Sequence, residues 1–519
     1  MMEEDREKKE FTDEEDPIHR ISLKRHLWPE EVELRDTKKK VSRLQKWCIA
    51  LAAAGLALGW AAGSFLPLPG SAGIRDGLRS VFGLGSSSQK ISAVKDIMAN
   101  DWYFSKGIDH LEDRLTDQAL LGMTTNSEDP HTAYMSKEET EAFVQSINRD
   151  YVGIGSEFIM YDDRPMLTRV FDDSPAEKAG LLAGDVLLTV NDTDTAGKKS
   201  EEVRDLILGE EGTDVKLTVM RNGSEKEITA IRGAVTATAY AKMLDSDLMY
   251  MQLYQFGDDT ADKMKSYFDE MIAKGGNMKL ILDLRGNGGG YLNSVQQTAS
   301  FFLDKGDTVL QQEFTDGHTT TITAAEGKID EIHDIVILVD GGTASAAEVM
   351  TLALKQNRDD VTIVGTTTYG KGTAQISASF KDGSTLKYTS SRWLSPKGDW
   401  INEKGIEPDV VCEQPKVLAN PFPIMEDGVS YQYDDVAAPI QAMQYILSYF
   451  EMRPDREDGY FSLDTKEKWT AFEKEHDMQA DGVMTEEEYT SAISEVIRDS
   501  HTSDTKDAQL TKAKEILHG

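Results

Sequence analysis

The chain has 519 residues, a length that accommodates about three domains. It carries 56 basic and 91 acidic residues, a formal net charge of −35, so its surface offers no general attraction to nucleic-acid phosphates or anionic lipids. Its two cysteines, Cys48 and Cys412, exclude a disulfide framework. The composition therefore predicts an acidic globular chain with no nucleic-acid partner.

A charge-free apolar run begins at Trp47 and reaches Leu68 before the first break in hydrophobicity. Its length meets the roughly 20 residues that a membrane-spanning helix needs. Basic residues stand directly before it, at Lys38, Lys39, Lys40, Arg43 and Lys46. The positive-inside rule then places residues 1–46 in the cytoplasm and the rest outside the cell membrane. A cleaved signal peptide is the alternative, with Ala61-Ala62-Gly63 as the cleavage site, although residues 1–46 would be unusually long for its first part.

A glycine- and serine-rich linker is predicted at 69–90, and a small helical region at 91–149. Apolar spacing predicts helices at about Ser92–Asp101 and Gly107–Thr116. A turn follows at Asp129–Tyr134, and Ser136 with Glu139 forms a capping box that opens a helix to about Asn148.

Short alternating strands predict a β domain over residues 150–234. A glycine loop at Tyr151–Gly155, a strand at Gly184–Asn191 and a helix at about Ser200–Leu208 occur in an order that resembles a PDZ domain of the bacterial protease type. The resemblance implies capture of a free peptide C-terminus as an added strand, with its carboxylate held by loop N–H groups. The implied binding residues are Tyr151, Val152, Gly153, Ile154 and Gly155 of the loop, and Phe158, Val203 and Leu206 as groove walls. A β domain that only spaces its neighbours is the alternative.

Residues 235–415 alternate strands with helices, which predicts a mixed α/β domain with a mostly parallel sheet. The predicted strands include Leu248–Leu253, Met278–Leu284, Ile335–Asp340 and Val361–Gly365. A glycine turn, Arg285–Gly290, joins one strand to a helix. It is not a dinucleotide-binding fingerprint, because the third glycine would fall at Tyr291.

A linker at 416–435 and a small helical domain at 436–498 follow. Two Asp-Gly turns, at Asp458 and Asp481, lie 23 residues apart and each leads into a helix, as in peptidoglycan-binding helical domains, which they resemble. An EF-hand is the rival for the second turn, because Asp477, Asp481, Gly482 and Glu488 match ligand positions, but Gln479 occupies the third position. The tail at 499–519 shows no readable signal.

Ser345 lies between an apolar strand, which ends at Gly341-Gly342, and the alanine-rich helix that follows it. The free N–H groups of a helix start favour negative charge that develops beside them, which suits a nucleophile. A helix N-cap is the alternative interpretation. Lys371, enclosed by Gly370 and Gly372, is a candidate base, provided that burial lowers its pKa far below about 10.4. The outer histidines before the C-terminal domain occupy no recognisable catalytic motif.

The order of these motifs resembles the carboxyl-terminal processing, or tail-specific, serine peptidases over about residues 90–415. The resemblance implies that Ser345 is the nucleophile, Lys371 the general base and Gln375 the group that orients the lysine. It also implies an oxyanion hole from the N–H groups of Gly290 and Ala346. The chain departs from the family pattern in three ways, at Ala347, at Tyr369 and in a serine-to-lysine interval that is one residue longer.

The expected protein is thus a single-pass, membrane-anchored serine endopeptidase with a PDZ-like β domain, a mixed α/β peptidase core and a small C-terminal helical domain. Its expected substrates are proteins with free C-termini, and no metal or cofactor is required. Peptidoglycan is a further expected partner, and the resemblance implies a homo-oligomer. The alternative from another class is a non-catalytic, wall-bound PDZ scaffold that presents or sequesters protein tails.

Overall fold

A computed structural model describes residues 87–125, 128–236, 238–420, 422–503 and 505–518. The predicted anchor at 47–68 lies outside these residues, as does the linker up to residue 86. Within the described ranges, no helix is both long and apolar enough to cross a membrane.

Two helices form the start of the described chain, α1 (Ser87–Asn100) and α2 (Leu111–Thr124), and neither contains a fully buried residue. A short strand, β1 (Ala133–Met135), and helix α3 (Lys137–Asn148) come next. The predicted capping box is confirmed, because Glu139 N donates to Ser136 Oγ and Ser136 N donates to Glu139 Oε2. Helix α3 ends at Asn148, and the left-handed backbone of the next residue, Arg149, caps it.

The predicted β domain is present as an antiparallel sheet with two short helices packed against it. Its elements are β2 (Asp150–Gly153), β3 (Ser156–Tyr161), β4 (Arg164–Val170), α4 (Pro175–Ala179), β5 (Val186–Val190), β6 (Thr193–Asp194), α5 (Ser200–Ile207), β7 (Asp214–Arg221), β8 (Ser224–Ile231) and β9 (Gly233–Thr236). The strand order is β3-β4-β5-β7-β8, so β3 is an edge strand, and β2 pairs with β9 separately. The side chains that are fully buried in its core include Leu167, Leu187, Val215, Leu217 and Val219.

The prediction of a glycine loop over Tyr151–Gly155 was wrong for most of its length. Asp150–Gly153 is strand β2, in antiparallel register with β9, where Tyr151 faces Val235 and Val152 faces Ala234. Tyr151 and Val152 favour a pleated strand, and only Ile154 and Gly155 remain between β2 and β3.

The mixed α/β core is a six-stranded sheet with helices between its strands. Its elements are β10 (Ala239–Met243), β11 (Leu248–Leu253), α6 (Thr260–Gly275), β12 (Met278–Asp283), α7 (Leu292–Ala299), β15 (Ile332–Val339), α8 (Ala346–Asn357), β16 (Val361–Gly365) and β19 (Val410–Val411). The strand order is β10-β11-β12-β15-β16-β19, parallel except for the antiparallel pair β10–β11. The inner strands are nearly continuous apolar runs, as expected where a parallel sheet is covered on both faces. The predicted mixed α/β core is therefore confirmed.

A second, antiparallel sheet lies beside the core and carries the chain that follows Gly372. It contains β13 (Thr308–Phe314), β14 (Thr319–Thr323), β17 (Thr373–Ser379) and β18 (Thr385–Leu394), with β1 paired to β18. Strands β17 and β18 form a hairpin, and Trp393 near its end is almost completely buried.

The C-terminal helices share a hydrophobic core with the β domain. After the short α9 (Lys416–Ala419), helices α10 (Ala438–Tyr449), α11 (Leu463–Glu475) and α12 (Glu486–Thr502) pack around Trp469, Phe472 and Tyr489. The same cluster includes Met166 and Val186 of the β domain. A Cβ placed on Gly184 would lie 2.2 Å from Ser494 O, so the two backbones are in direct contact.

The last helix, α13 (Ala508–His518), lies against the core sheet rather than with the other C-terminal helices. Its Leu510, Ala513 and Leu517 pack with strand residues such as Ile281 and Val336. The segment without a readable sequence signal therefore covers part of one sheet face.

Candidate active site

Three loops converge at the carboxyl ends of the parallel strands β12, β15 and β16, the usual position for a site in such a sheet. The first contains the glycine turn Arg285–Gly290, and the second runs from Asp340 to Ser345. Asp340 Oδ1 connects these two loops, because it accepts hydrogen bonds from Gly286 N and Gly342 N, each at 2.9 Å. The third loop follows β16 and contains Lys371.

Ser345 stands directly before α8 and has φ 56° and ψ −116°, a strained backbone conformation for a residue with a side chain. Such strain persists only where neighbouring structure enforces it, and it occurs often at functional sites. Ser345 is partly exposed, whereas residues 346–354 of α8 are all buried. The predicted serine therefore projects from a rigid helix start.

The glycine turn after β12 approaches Ser345 closely. A Cβ on Gly289, which has φ +106°, would lie 2.8 Å from Ser345 Cβ and 2.9 Å from Ala346 N. Within the described residues, the N–H groups of Ala346 and Gly290 donate no hydrogen bond to another protein group. These two donors are the ones predicted for an oxyanion hole, and the approach of Gly289 to Ala346 N brings the turn that contains Gly290 beside the start of α8.

A buried carboxylate joins the Ser345 loop to the Lys371 loop. Glu348 is 0% exposed, and its Oε2 accepts from Ser345 N at 2.8 Å and from Lys371 N at 2.9 Å. Its Oε1 accepts from Thr368 Oγ1 at 2.6 Å and from Gly370 N at 2.7 Å. The sequence analysis quoted Glu348 within a motif but assigned it no role, because three of its four partners, Thr368, Gly370 and Lys371, lie 20 or more positions away in sequence.

The two glycines that flank Lys371 lie where any side chain would clash with neighbouring atoms. A Cβ on Gly370 would lie 2.6 Å from Gly405 N, and a Cβ on Gly372 would lie 2.6 Å from Trp400 Nε1. Burial lowers the pKa of Lys371 below its ordinary value, the nearby Lys387 charge lowers this pKa further, and Glu348 opposes the shift. A lowered pKa increases the fraction of neutral amine, which is the form that accepts a proton.

No hydrogen bond connects Lys371 Nζ with Ser345 Oγ or with Gln375 among the described residues. Gln375 Nε2 instead donates to Thr373 Oγ1 and Thr389 Oγ1, each at 3.1 Å. The structure thus brings Ser345 and Lys371 onto adjoining loops without pairing their reactive groups.

The turn at Asp129–Tyr134 extends the site on the lysine side. Thr389 Oγ1 donates to Asp129 Oδ1 at 3.1 Å, so an amide–hydroxyl–carboxylate chain runs from Gln375 to Asp129. Burial lowers the pKa of His131, and the Lys371 charge lowers it further. Sequence reasoning identified this turn but missed its place beside Lys371, because Asp129 and Thr389 lie 260 positions apart.

The predicted peptide-binding residues occupy two kinds of position in the PDZ-like domain. Ile154 and Val203 are buried in its core, at 2% and 0% exposure, so neither presents surface to a groove. Phe158 on edge strand β3 and Leu206 on α5 are only partly buried against the same core. Tyr151, Val152 and Gly153 are paired in β2, and Gly155 has the left-handed φ of +77°.

The second Asp-Gly turn does not present a calcium loop. Glu488 Oε2 accepts from Thr485 N and Thr485 Oγ1 and so caps α12, while Asp481 Oδ1 accepts from Val483 N. Across the described ranges, no group of three or more histidine, cysteine or acidic side chains could hold a metal ion.

These features define a serine-peptidase class of site, in which a strained serine at a helix start adjoins a buried lysine loop and a glycine turn, with a PDZ-like domain preceding it. The comparisons with known proteins agree with that class. Residues 247–412 match the model of peptidase family S41, and residues 152–231 match that of the PDZ domain.

Similar proteins include a probable CtpA-like serine protease of Staphylococcus haemolyticus, 32% identical over 412 residues, covering 78% of this chain and 81% of the relative. A probable CtpA-like serine protease of Staphylococcus aureus strain COL is 33% identical over 406 residues, covering 78% and 80%. A solved photosystem II D1 C-terminal processing protease is 26% identical, with a TM-score of 0.37, covering 64% of this chain and 85% of that one. The chain belongs to peptidase family S41 and is a CtpA-like serine protease with a PDZ domain.

Proposed function

We propose that this serine protease captures exposed C-termini of proteins on its PDZ domain and hydrolyses their peptide bonds by a Ser-Lys mechanism outside the cell membrane. The observation that carries the proposal is the shared carboxylate of Glu348, one oxygen of which accepts from both Ser345 N and Lys371 N. This shared oxygen holds the backbones of Ser345 and Lys371 on adjoining loops, which is the placement that a Ser-Lys pair requires.

In the proposed reaction, neutral Lys371 Nζ takes the proton of Ser345 Oγ as the oxygen attacks the scissile carbonyl carbon. The carbonyl oxygen becomes an anion that accepts hydrogen bonds from the N–H groups of Ala346 and Gly290. Collapse of this tetrahedral adduct breaks the C–N bond, and the lysine proton goes to the leaving amine. Water then attacks the acyl-enzyme by the reverse sequence, releasing the new C-terminal carboxylate and the free serine.

The apo geometry fits a site that closes around substrate, since catalytic hydrogen bonds are often long before substrate binds. Gln375 orients Lys371 in the proposed active arrangement by leaving Thr389, its partner in this structure. Strand β3 supports the substrate class, because it is a free sheet edge to which a peptide can add as a strand.

The proposed location follows from the apolar run at 47–68, which acts as an uncleaved anchor with residues 1–46 in the cytoplasm. The helical domain at 436–498 would bind peptidoglycan, which suits a space between membrane and wall. We also propose a homo-oligomer. A reporter that is active only outside the cytoplasm, fused after residue 90 and after residue 40, tests the location, because only the first fusion should be active.

The decisive experiment incubates the full chain with an intact protein that has an apolar C-terminus and detects new C-termini by mass spectrometry. Wild type and His333→Ala should cleave, whereas Ser345→Ala and Lys371→Ala should lose at least about 1,000-fold in rate while still binding C-terminal peptides. Binding without cleavage by wild type would indicate the scaffold. Activity that survives in Lys371→Ala but not in His333→Ala would refute the Ser-Lys mechanism.

A further inference from the structure

The C-terminal segment contacts the glycine turn Arg285–Gly290 through the arginine of that turn. Arg285, the first residue of the turn Arg285–Gly290, donates from Nη1 to Asp507 Oδ1 at 2.9 Å and lies with Nη2 2.8 Å from Asp507 Oδ2. Gln509 Oε1 accepts from the same Nη1 at 3.2 Å. The side chains of Arg285 and Asp507 are only 16% and 18% exposed, so this ion pair is largely desolvated.

Asp507 is itself held in place from two directions. Its Oδ1 accepts from Leu510 N at 2.9 Å, within the first turn of α13, and from Gln414 Nε2 at 2.7 Å. The packing of Leu510 and Leu517 against the sheet then fixes α13. Asp507 is therefore a stationary anchor for the arginine, because its carboxylate is also bonded to two other elements of the chain.

The other carboxylate on Arg285 cannot serve the same purpose. Asp283 is fully buried and accepts from Arg285 Nε and Nη2, but it lies only two residues earlier, at the end of β12. Tyr250 Oη of β11 also donates to Asp283 Oδ2 at 2.7 Å, but both residues belong to the sheet from which the turn leaves, so this pair connects the turn to no element outside that sheet. Asp507 supplies such a connection from more than 200 residues away.

The position of Arg285 matters because its neighbours contact the nucleophile loop. Gly286 N donates to Asp340 Oδ1, and a Cβ on Gly342 would lie 3.0 Å from Gly286 Cα. Four residues beyond Arg285, Gly289 approaches Ser345 Cβ and Ala346 N. A small displacement at Arg285 would thus be passed to the groups that surround Ser345 Oγ.

We infer that Asp507 is a positioning residue for catalysis, which acts through Arg285 to hold the glycine turn where its N–H group can stabilise the oxyanion. The inference rests on the proposed function of that turn. It assigns to the C-terminal segment a part in transition-state stabilisation, beyond its packing against the sheet.

The test compares Asp507→Asn with Glu515→Gln, a control on the exposed part of α13, in the full chain. The asparagine keeps an oxygen for Leu510 N but loses the charge that pairs with Arg285. We expect kcat to fall about tenfold, KM to stay within about twofold, and the affinity for a peptide boronate, which forms a tetrahedral serine adduct, to weaken in parallel with kcat. Glu515→Gln should match wild type.

Arg285→Lys is a second variant, which keeps the hydrogen bond from Leu510 N to Asp507 at the start of α13. It should show the same loss in kcat and in boronate affinity. Unchanged kcat in both variants, even with a lower melting temperature, would show that Asp507 only stabilises the fold and would overturn the inference. A raised KM at unchanged kcat would also overturn it. A wild-type chain that cleaves nothing would instead refute the proposed function, so the two failures are distinguishable.

Discussion

The Ser345 side of the site, which holds the proposed nucleophile, and the Lys371 side, which holds the proposed base, are organised differently. Ser345 has a strained backbone that is fixed by Glu348 and enclosed by Gly289, so its position is determined by main-chain contacts. The Lys371 backbone is fixed by the same carboxylate, but its side chain has no hydrogen bond to the serine, and Gln375 contacts Thr389 instead. The fold therefore fixes the main chain of Ser345, the proposed nucleophile, and leaves the side chain of Lys371, the proposed base, unpaired with the serine.

This contrast indicates which substitutions should be most damaging. Groups that hold main chain on the nucleophile side should have large effects, because no substrate contact can replace them. Groups that change the pKa of the Lys371 amine should have smaller, pH-dependent effects, because they leave the backbone of both loops in place.

The largest effect is expected for Glu348→Gln. The amide nitrogen would face N–H donors on one side of the side chain, so the loops of Ser345 and Lys371 would separate. We expect kcat/KM to fall roughly 100-fold and the free energy of unfolding to fall by about 3 kcal/mol, measured by peptide cleavage and urea titration. The exposed Glu326→Gln is the matched control. Near-normal activity in Glu348→Gln would show that the shared carboxylate does not fix the nucleophile.

An intermediate effect is expected for Gly289→Ala. The new methyl group would lie 2.8 Å from Ser345 Cβ, at a φ of +106° that disfavours alanine. We expect kcat to fall about 30-fold with KM little changed. Gly288→Ala is the control, since it adds the same methyl group one residue earlier, where a Cβ has no atom within 4 Å. This variant should remain active. Equal losses in both variants would show that the loss comes from stiffening of the turn and not from a contact with Ser345.

The smallest effect is expected on the base side, for Lys387→Met. The groups that face Lys371 are Lys387, Asp129, His131 and Glu348, and the Lys387 charge lowers the pKa of Lys371. Removing that charge should raise the pKa of Lys371, so the neutral amine forms only at higher pH.

The rising limb of the kcat/KM profile should therefore move to higher pH in Lys387→Met, with activity at neutral pH about threefold lower and full activity recovered in alkali. Lys397→Met, in an exposed loop, is the control. A limb that does not move, or that moves to lower pH, would contradict the assignment of Lys371 as the titrating base.

The core of the fold was largely predictable because its strands are short, apolar and regularly separated by helices. Strands β11 and β16 begin and end at the predicted residues, Leu248–Leu253 and Val361–Gly365. The glycines beside Lys371 also indicated a tightly packed loop, and the close approach of Gly405 N and Trp400 explains them.

Contacts between distant segments were not predictable in the same way. Asp129 contacts Thr389 only because β1 pairs with β18. Neither that pairing nor its residue register can be read from a single sequence. In α13, an eleven-residue helix with Leu510, Ala513 and Leu517 on one face is too short to stand out from a polar tail. Tyr151 and Val152 were assigned to a loop because the neighbouring glycines dominated the pattern, although their own side chains favour a strand.

The shared core of the PDZ domain and the C-terminal helices has a consequence for how such chains can diversify. Met166 and Val186 are buried against the cluster of Trp469 and Tyr489, and Gly184 permits backbone contact with Ser494. A recombination event that exchanged the C-terminal helices alone would therefore uncover apolar surface on the PDZ domain. Lineages that gain, lose or replace this module must remodel the PDZ face in the same step, so the two parts are expected to be inherited as a single unit.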